Sequence, residues 1–198
     1  MDNGQEVTVK QTTRYPWEGH IAINIEPATR KEFTVKVRIP GWAQSAENPY
    51  GLYRSEVKSK VVIKVNGKQT AFKINRGYVD ITRIWAKGDI IELNLPMEPR
   101  FVYANEKVAN LKGMAVVAAG PIVYGLEELD NSELNSYNID INSPVSLSFK
   151  NDVLNGVNII KGKAFTKNGV KVDFTAVPFY AINNRMPGNA CKVWMAVQ

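Results

Sequence analysis

The chain has 198 residues, 44% of them hydrophobic, with a formal charge of +6 and a single cysteine, Cys191. This length and apolar content support one large or two small domains with genuine cores and argue against disorder. One cysteine excludes an internal disulfide and any cysteine-built zinc site within the chain, so Cys191 reads as a small buried hydrophobe.

The first residues, Met1-Asp2-Asn3-Gly4-Gln5-Glu6, show neither a basic leader nor an apolar run, so no secretory signal is read from them. Ile21, Ile23 and Ile25, then Phe33, Val35, Val37 and Ile39, alternate with mostly polar residues, which is the period of half-buried antiparallel strands. The short polar connection between them, residues 26–31, predicts that the two strands pair. Residues 44–59 lack periodicity and read as a long surface loop. Val61, Ile63 and Val65 resume the alternation, and Asn66-Gly67 predicts a tight hairpin whose return strand carries Ala71, Phe72 and Ile74. Lys58, Lys60, Lys64 and Lys68 spread along this segment as a solvated face, which disfavours a nucleic-acid partner despite the positive charge.

Further strands follow at residues 77–81, 91–95 and 101–103, with Trp85 expected over a sheet edge. Residues 114–118 and 122–126 form continuous apolar runs around Gly120-Pro121, as strands buried on both faces do. They lie in the longest uncharged stretch, residues 113–126, which is too short for an ordinary membrane span, so no membrane partner is expected. Residues 126–134 suggest one short helical turn. Strands are then predicted at 145–149, 157–165, 170–176 and 191–197, with a second hairpin turn at Asn168-Gly169. The fold class is therefore all-β: two consecutive antiparallel β-sandwich, jelly-roll-like domains with very little helix, at residues 1–105 and 106–198.

Autonomous chemistry is hard to find. His20 is the only histidine and has no nucleophile or ligand motif around it, so it reads as a turn residue. Glu127, Glu128 and Asp130 read as solvated loop acids rather than a glycosidase pair. Asp130, Asn131 and Glu133 form only an incomplete calcium pattern. No phosphate-binding glycine motif is present. No catalytic or metal residue is assigned, and no cofactor is expected in this chain.

The aromatics remain: Tyr15, Trp17, Trp42, Tyr50, Tyr53, Tyr78, Trp85, Phe179, Tyr180 and Trp194. A flat ring in a rigid turn can stack on a sugar or plug a domain interface. In residues 178–185, amides and a guanidinium stand beside aromatic surface. Tyr15, Trp17, Trp42, Tyr180, Asn183 and Arg185 are the candidates for domain-interface or carbohydrate contact, with a domain contact favoured for the last three.

The motifs Q-T-T-R-Y-P-W-E-G (11–19), R-I-P-G-W-A (38–43), G-Y-V-D-I (77–81), L-P-M-E-P-R (95–100), G-P-I-V-Y-G-L-E (120–127) and P-F-Y-A-I-N-N-R (178–185) together resemble the C-terminal region of the bacterial β-L-arabinofuranosidases, glycoside hydrolase family 127. The resemblance implies a larger parent enzyme in which an N-terminal helical toroid removes terminal β-L-arabinofuranose and two β-sandwiches follow. It places the zinc-bound cysteine nucleophile and the acidic residues in that upstream domain, and Cys191 does not match the nucleophile's motif. The implied role is a noncatalytic accessory region that braces the N-terminal catalytic domain of the same parent chain. The alternative is an independent carbohydrate-binding module for plant-derived, arabinose-containing glycans. Such glycan degradation favours a periplasmic or extracellular setting, but a cytoplasmic one stays open.

Overall fold

Alternating β-branched residues build the first strands: β1 (Val7–Thr13), β2 (His20–Pro27) and β3 (Lys31–Arg38). The computed structural model describes residue 4 and residues 6–44, 51–55 and 58–198. Along the chain come β4 (Tyr53–Ser55), β5 (Val62–Val65), β6 (Lys68–Gln69), β7 (Ile74–Asn75), β8 (Tyr78–Trp85) and β9 (Asp89–Asn94). Among the described residues the only helical elements are three-residue 3-10 turns, such as Gly41–Ala43 and Phe179–Ala181.

The chain divides into two compact units, Met1–Gln44 with Ser59–Pro96, and Ser45–Lys58 with Met97–Gln198. The sequence suggested a boundary between residues 105 and 106. Residues 99–104 join the second unit because they form a strand within its sheet.

In the first unit, a five-stranded sheet in the order β1-β2-β9-β5-β6 faces a three-stranded sheet in the order β3-β8-β7. The pairing of β2 with β3 suggested by their short connection does not occur. Instead, β2 lies between β1 and β9, while β3 pairs along its whole length with β8. Both strands carry an apolar face, and placing them in opposite layers lets each face cover the other. Ile25, Ile63 and Ile91 from one layer meet Val37, Val79 and Trp85 from the other in a single core. Each such aliphatic side chain contributes roughly 1.5–3 kcal/mol on leaving water.

Trp85 is not at a sheet edge. It is fully buried, its indole N–H donates to the Phe33 carbonyl at 2.9 Å, and Phe33 packs 6.0 Å away, ring to ring. A buried indole needs such an acceptor, and the neighbouring strand supplies one.

Asn66 (φ 51°) and Gly67 (φ 75°) make the expected two-residue turn between Val65 and Lys68. The return strand is shorter than expected: β6 ends at Gln69, and Ile74 belongs to β7 in the other layer.

The second unit contains β4, β10 (Pro99–Ala104), β11 (Met114–Ala119), β12 (Ile122–Glu127), β13 (Asn138–Ile139), β14 (Ser146–Lys150), β15 (Val157–Phe165), β16 (Lys171–Pro178), β17 (Cys191–Lys192) and β18 (Met195–Val197). β12 pairs with β16, β16 with β15, β15 with β13, β13 with β18 and β18 with β11, and β11 returns to β12. These six strands thus close into one hydrogen-bonded ring around Val117, Tyr124, Leu126, Ile139, Ile160 and Phe174. The continuous apolar runs of β11 and β12 are buried from Ala115 to Ala119 and from Tyr124 to Glu127, as predicted, whereas Val123 is exposed. β13 and β18 run parallel, an exception to the antiparallel expectation.

Within the predicted loop at 44–59, residues Tyr53–Ser55 instead form β4, which pairs with β10. Tyr50 and the rest of 45–50, like residues 56–57, lie outside the described residues. At Asn168-Gly169 the hairpin is wider than a two-residue turn. Thr166 N–H bonds the Val170 carbonyl, and Gly169 alone takes a positive φ, 76°.

Candidate functional site

Three segments carry the candidate residues, two in the first unit and one in the second. In the first unit, residues 13–20 form a turn fixed from several sides. The Trp17 N–H bonds the Arg14 carbonyl at 3.0 Å across a cis Tyr15-Pro16 bond. The Thr13 hydroxyl donates to the His20 carbonyl and accepts from the Tyr15 N–H, at 2.8 and 2.9 Å. Leu95 N–H bonds the Gly19 carbonyl at 2.9 Å, and His20 Nδ1 lies 3.0 Å from the Asn94 side-chain oxygen. Arg14 and Glu18, four residues apart, pair at 3.2 Å.

The turn separates its aromatics. Tyr15 folds inward against the core, whereas Trp17 stays 46% exposed. Trp42 follows Tyr15: it sits in the 3-10 turn Gly41–Ala43 and packs on the core beside the fully buried Ile39. Of these three, Trp17 presents its ring to solvent. Tyr15 and Trp42 are packing residues whose loss would open the core.

In the second unit, Tyr180, Asn183 and Arg185 fall on the loop at residues 178–190, between β16 and β17. This loop is pinned to β12. Ala181 is fully buried in a small core with Val153, Val157, Ile159 and Val177, and Ile182 packs against that core. The Ile182 Cδ1 lies where a side chain at Gly125 would begin, 2.6 Å from an added Cβ, so the glycine admits the loop. Asn183 takes a left-handed φ of 63° and its N–H donates to Glu127 Oε1 at 2.7 Å. The Arg185 guanidinium donates to Glu127 Oε2, and to both oxygens of Asp130. Lys150 stands 3.9 Å from Asp130.

Glu127 is therefore not a solvated loop acid. It is fully buried at the end of β12, where an unpaired carboxylate would be prohibitive, and the guanidinium compensates it. Arg185 in turn is held above its ordinary basicity, chiefly by Asp130, against the opposing effect of burial. Beside it, Asn131 is buried and replaces a missing strand: its amide donates to the Glu127 and Thr175 carbonyls, and its oxygen accepts from the Thr175 N–H.

The sequence placed Arg185 toward a partner, but the structure turns it inward. The guanidinium and its carboxylates are 55 or more residues apart, so no local pattern could join them. The one readable signal was the acid closing the apolar run G-P-I-V-Y-G-L-E. Phe179 and Tyr180 face outward, 61% and 49% exposed. Burial pushes the Tyr124 phenol above its ordinary value, and electrostatic interaction with Tyr180 adds a smaller push the same way.

Cys191 is exposed on the two-residue strand β17, contrary to the buried reading, because that strand pairs only at the end of β12. Among the described residues no three His, Cys, Asp or Glu side chains converge as metal ligands. With Cys191 alone and Asp130 taken by Arg185, these residues fit neither the zinc of the resemblance nor calcium.

Residues 1–97 match the domain described as "Beta-L-arabinofuranosidase, GH127 middle domain", and residues 99–196 match the "Glycoside hydrolase family 127 C-terminal domain". The chain is similar to the non-reducing end β-L-arabinofuranosidase of Bifidobacterium longum subsp. longum, with 31% identity over 163 residues. That match takes in 78% of this chain and 22% of that protein. A crystal structure of a GH127 β-L-arabinofuranosidase from Geobacillus stearothermophilus T6 superposes with a TM-score of 0.87 at 29% identity, covering 99% of this chain and 31% of that one. A second solved structure, described as a GH127 β-arabinofuranosidase, gives a TM-score of 0.85 at 33% identity, covering 98% and 32%. The chain thus spans about a fifth of the curated relative and under a third of each solved one. Residue matches across both units, and one fold shared with the solved relatives, make this chain a member of glycoside hydrolase family 127 that spans the family's middle and C-terminal domains.

Proposed function

We propose that this chain is a noncatalytic accessory region of a β-L-arabinofuranosidase-like glycoside hydrolase, bracing an N-terminal catalytic domain of the same parent. One observation carries the reading: its two halves match domains described as middle and C-terminal, while relatives named for the activity are more than three times as long. The arrangement of its acids is in keeping with this. Glu127 and Asp130 are both bound by one guanidinium, an arrangement that occupies the oxygens an acid–base pair would use on a leaving group and a water.

The test compares this chain alone, an upstream catalytic segment alone, and the two joined, on an aryl β-L-arabinofuranoside. The proposal expects no turnover from this chain and a more active or more heat-resistant catalytic segment when joined. Turnover by this chain alone would reject it.

The exposed ring of Trp17 in its fixed turn favours a second reading, an independent carbohydrate-binding module. Calorimetric titration with arabino-oligosaccharides distinguishes the two, since a brace gives no saturable heat. The informative variant is Trp17→Ala; Trp42→Ala would disturb the core instead.

A further inference from the structure

We propose that one edge of the first unit, from Lys60 to Arg76, is a docking strip for an acidic polysaccharide, a linear polymer bearing uronate carboxylates. Lys60, Lys64, Lys68, Lys73 and Arg76 are the charged residues of this segment, and no Asp or Glu occurs between Ser59 and Val79. The rest of the unit carries eight basic and eight acidic side chains, so these five cations are its whole excess of charge. Lys60, Lys68, Lys73 and Arg76 are exposed and Lys64 is half-buried. Among the described residues none of the five forms an ion pair, whereas Arg14 and Lys36 of the same unit do.

The topology draws these charges into a line. β6 is the last strand of the five-stranded sheet and β7 the last of the three-stranded one, and residues 70–73 pass between the two layers along that side. Lys68 lies near the start of β9 and Arg76 near the start of β8. These are opposite ends of the unit, because residues 86–88 join the finish of β8 to the start of β9. At strand rise, the segment from Lys68 to Arg76 reaches up to roughly 26 Å. Cations strung along an edge in this way meet successive groups of a long polyanion. Edge lysines also discourage strand-to-strand aggregation, but that role is served by either sign of charge and applies to every edge. The opposite edges differ: β1 carries a single lysine, and β3 mixes Lys31, Lys36 and Arg38 with Glu32.

The neighbouring side chains select the polymer. Exposed Gln69 and Asn75 stand among the cations, offering amides to hydroxyls where the lysines take carboxylates. No large apolar side chain of residues 60–76 is exposed, and Phe72 packs on the core. The strip therefore lacks the rings that stack bases, the apolar face that enters a bilayer and the aromatic anchors of a protein interface. Arg76 alone has the planar fork that grips phosphate at two points. The inference stands apart from the accessory role and from the neutral-sugar reading of Trp17.

Calorimetric titration of the whole chain with polygalacturonate at low ionic strength tests it. Saturable binding that weakens as salt rises is expected. Lys68→Glu with Lys73→Glu should raise the dissociation constant at least about tenfold. Lys10→Glu with Lys31→Glu, on the opposite edges, makes the same change in net charge and should raise it less than about threefold. All four positions are exposed, and thermal melts confirm that the variants fold. Lys68→Gln with Lys73→Gln, which only deletes the charges, should raise the constant at least about threefold. A folded chain that does not bind polygalacturonate overturns the proposal. Equal losses in the two Glu variants overturn it as well, since net charge alone would then explain them. So does binding of poly-L-glutamate, duplex DNA, phosphatidylserine vesicles or neutral arabinan as tight as that of polygalacturonate.

Discussion

Replacing Arg185 with methionine keeps most of the stem and removes the guanidinium, leaving the fully buried Glu127 with only the Asn183 N–H as donor. Breaking a buried ion pair from one side costs about 3–5 kcal/mol. Asp130, 16% exposed and near Lys150, recovers some solvation, so the lower end applies, about 3 kcal/mol. For a unit of about 100 residues that lowers the melting temperature by roughly 12–24 °C. Thermal and urea unfolding, followed by circular dichroism, measure it. Combining Arg185→Met with Glu127→Leu removes both charges and should recover at least half of the loss, because the cost lies in the orphaned carboxylate rather than in a missing attraction. A loss under about 1 kcal/mol for the single variant, or a double variant no better than the single, would refute this account of the clamp.

Trp85→Ala removes a fully buried indole bonded to Phe33 and should cost the first unit about 3–5 kcal/mol, seen as a lower urea midpoint. Asn131→Ala orphans the Thr175 N–H and carbonyl, while the Glu127 carbonyl keeps the Asp130 N–H as donor, for a loss of about 2–3 kcal/mol in the same assay. Asp140 bonds Lys171 at 2.8 Å and Ser143 at 2.7 Å, which pull its pKa down to about 2. A depressed carboxylate stabilises the fold fully above its unfolded value of about 3.9 and loses that contribution as pH falls through the folded value. Between about pH 4 and 2, wild type should therefore lose stability faster than Asp140→Asn, and parallel pH profiles would deny the ion pair its role.

Much of the fold was legible because side-chain period and turn chemistry are local. The alternation of Ile21, Ile23 and Ile25, the apolar runs of β11 and β12, and Asn66-Gly67 each specify a strand or turn within a few residues. What was misread depended on distant partners. The connection at residues 26–31 could equally have closed a hairpin or crossed between layers, and only β8 and β9, some fifty residues on, decided that β3 and β2 separate. Trp85 read as an edge residue until the Phe33 carbonyl gave its N–H a buried acceptor.

Residue order alone was enough for an all-β chain, most of its longer strands and the family it resembles, since each of these follows from local pattern. Tertiary structure decided which aromatics face water, that Trp17 and Phe179 do while Trp42 and Tyr15 do not, and that Arg185 is spent inside on Glu127 and Asp130. The physical reason is burial: whether a ring or a charge is available depends on what lies across from it, and in a β-sandwich that residue comes from another layer or a distant strand.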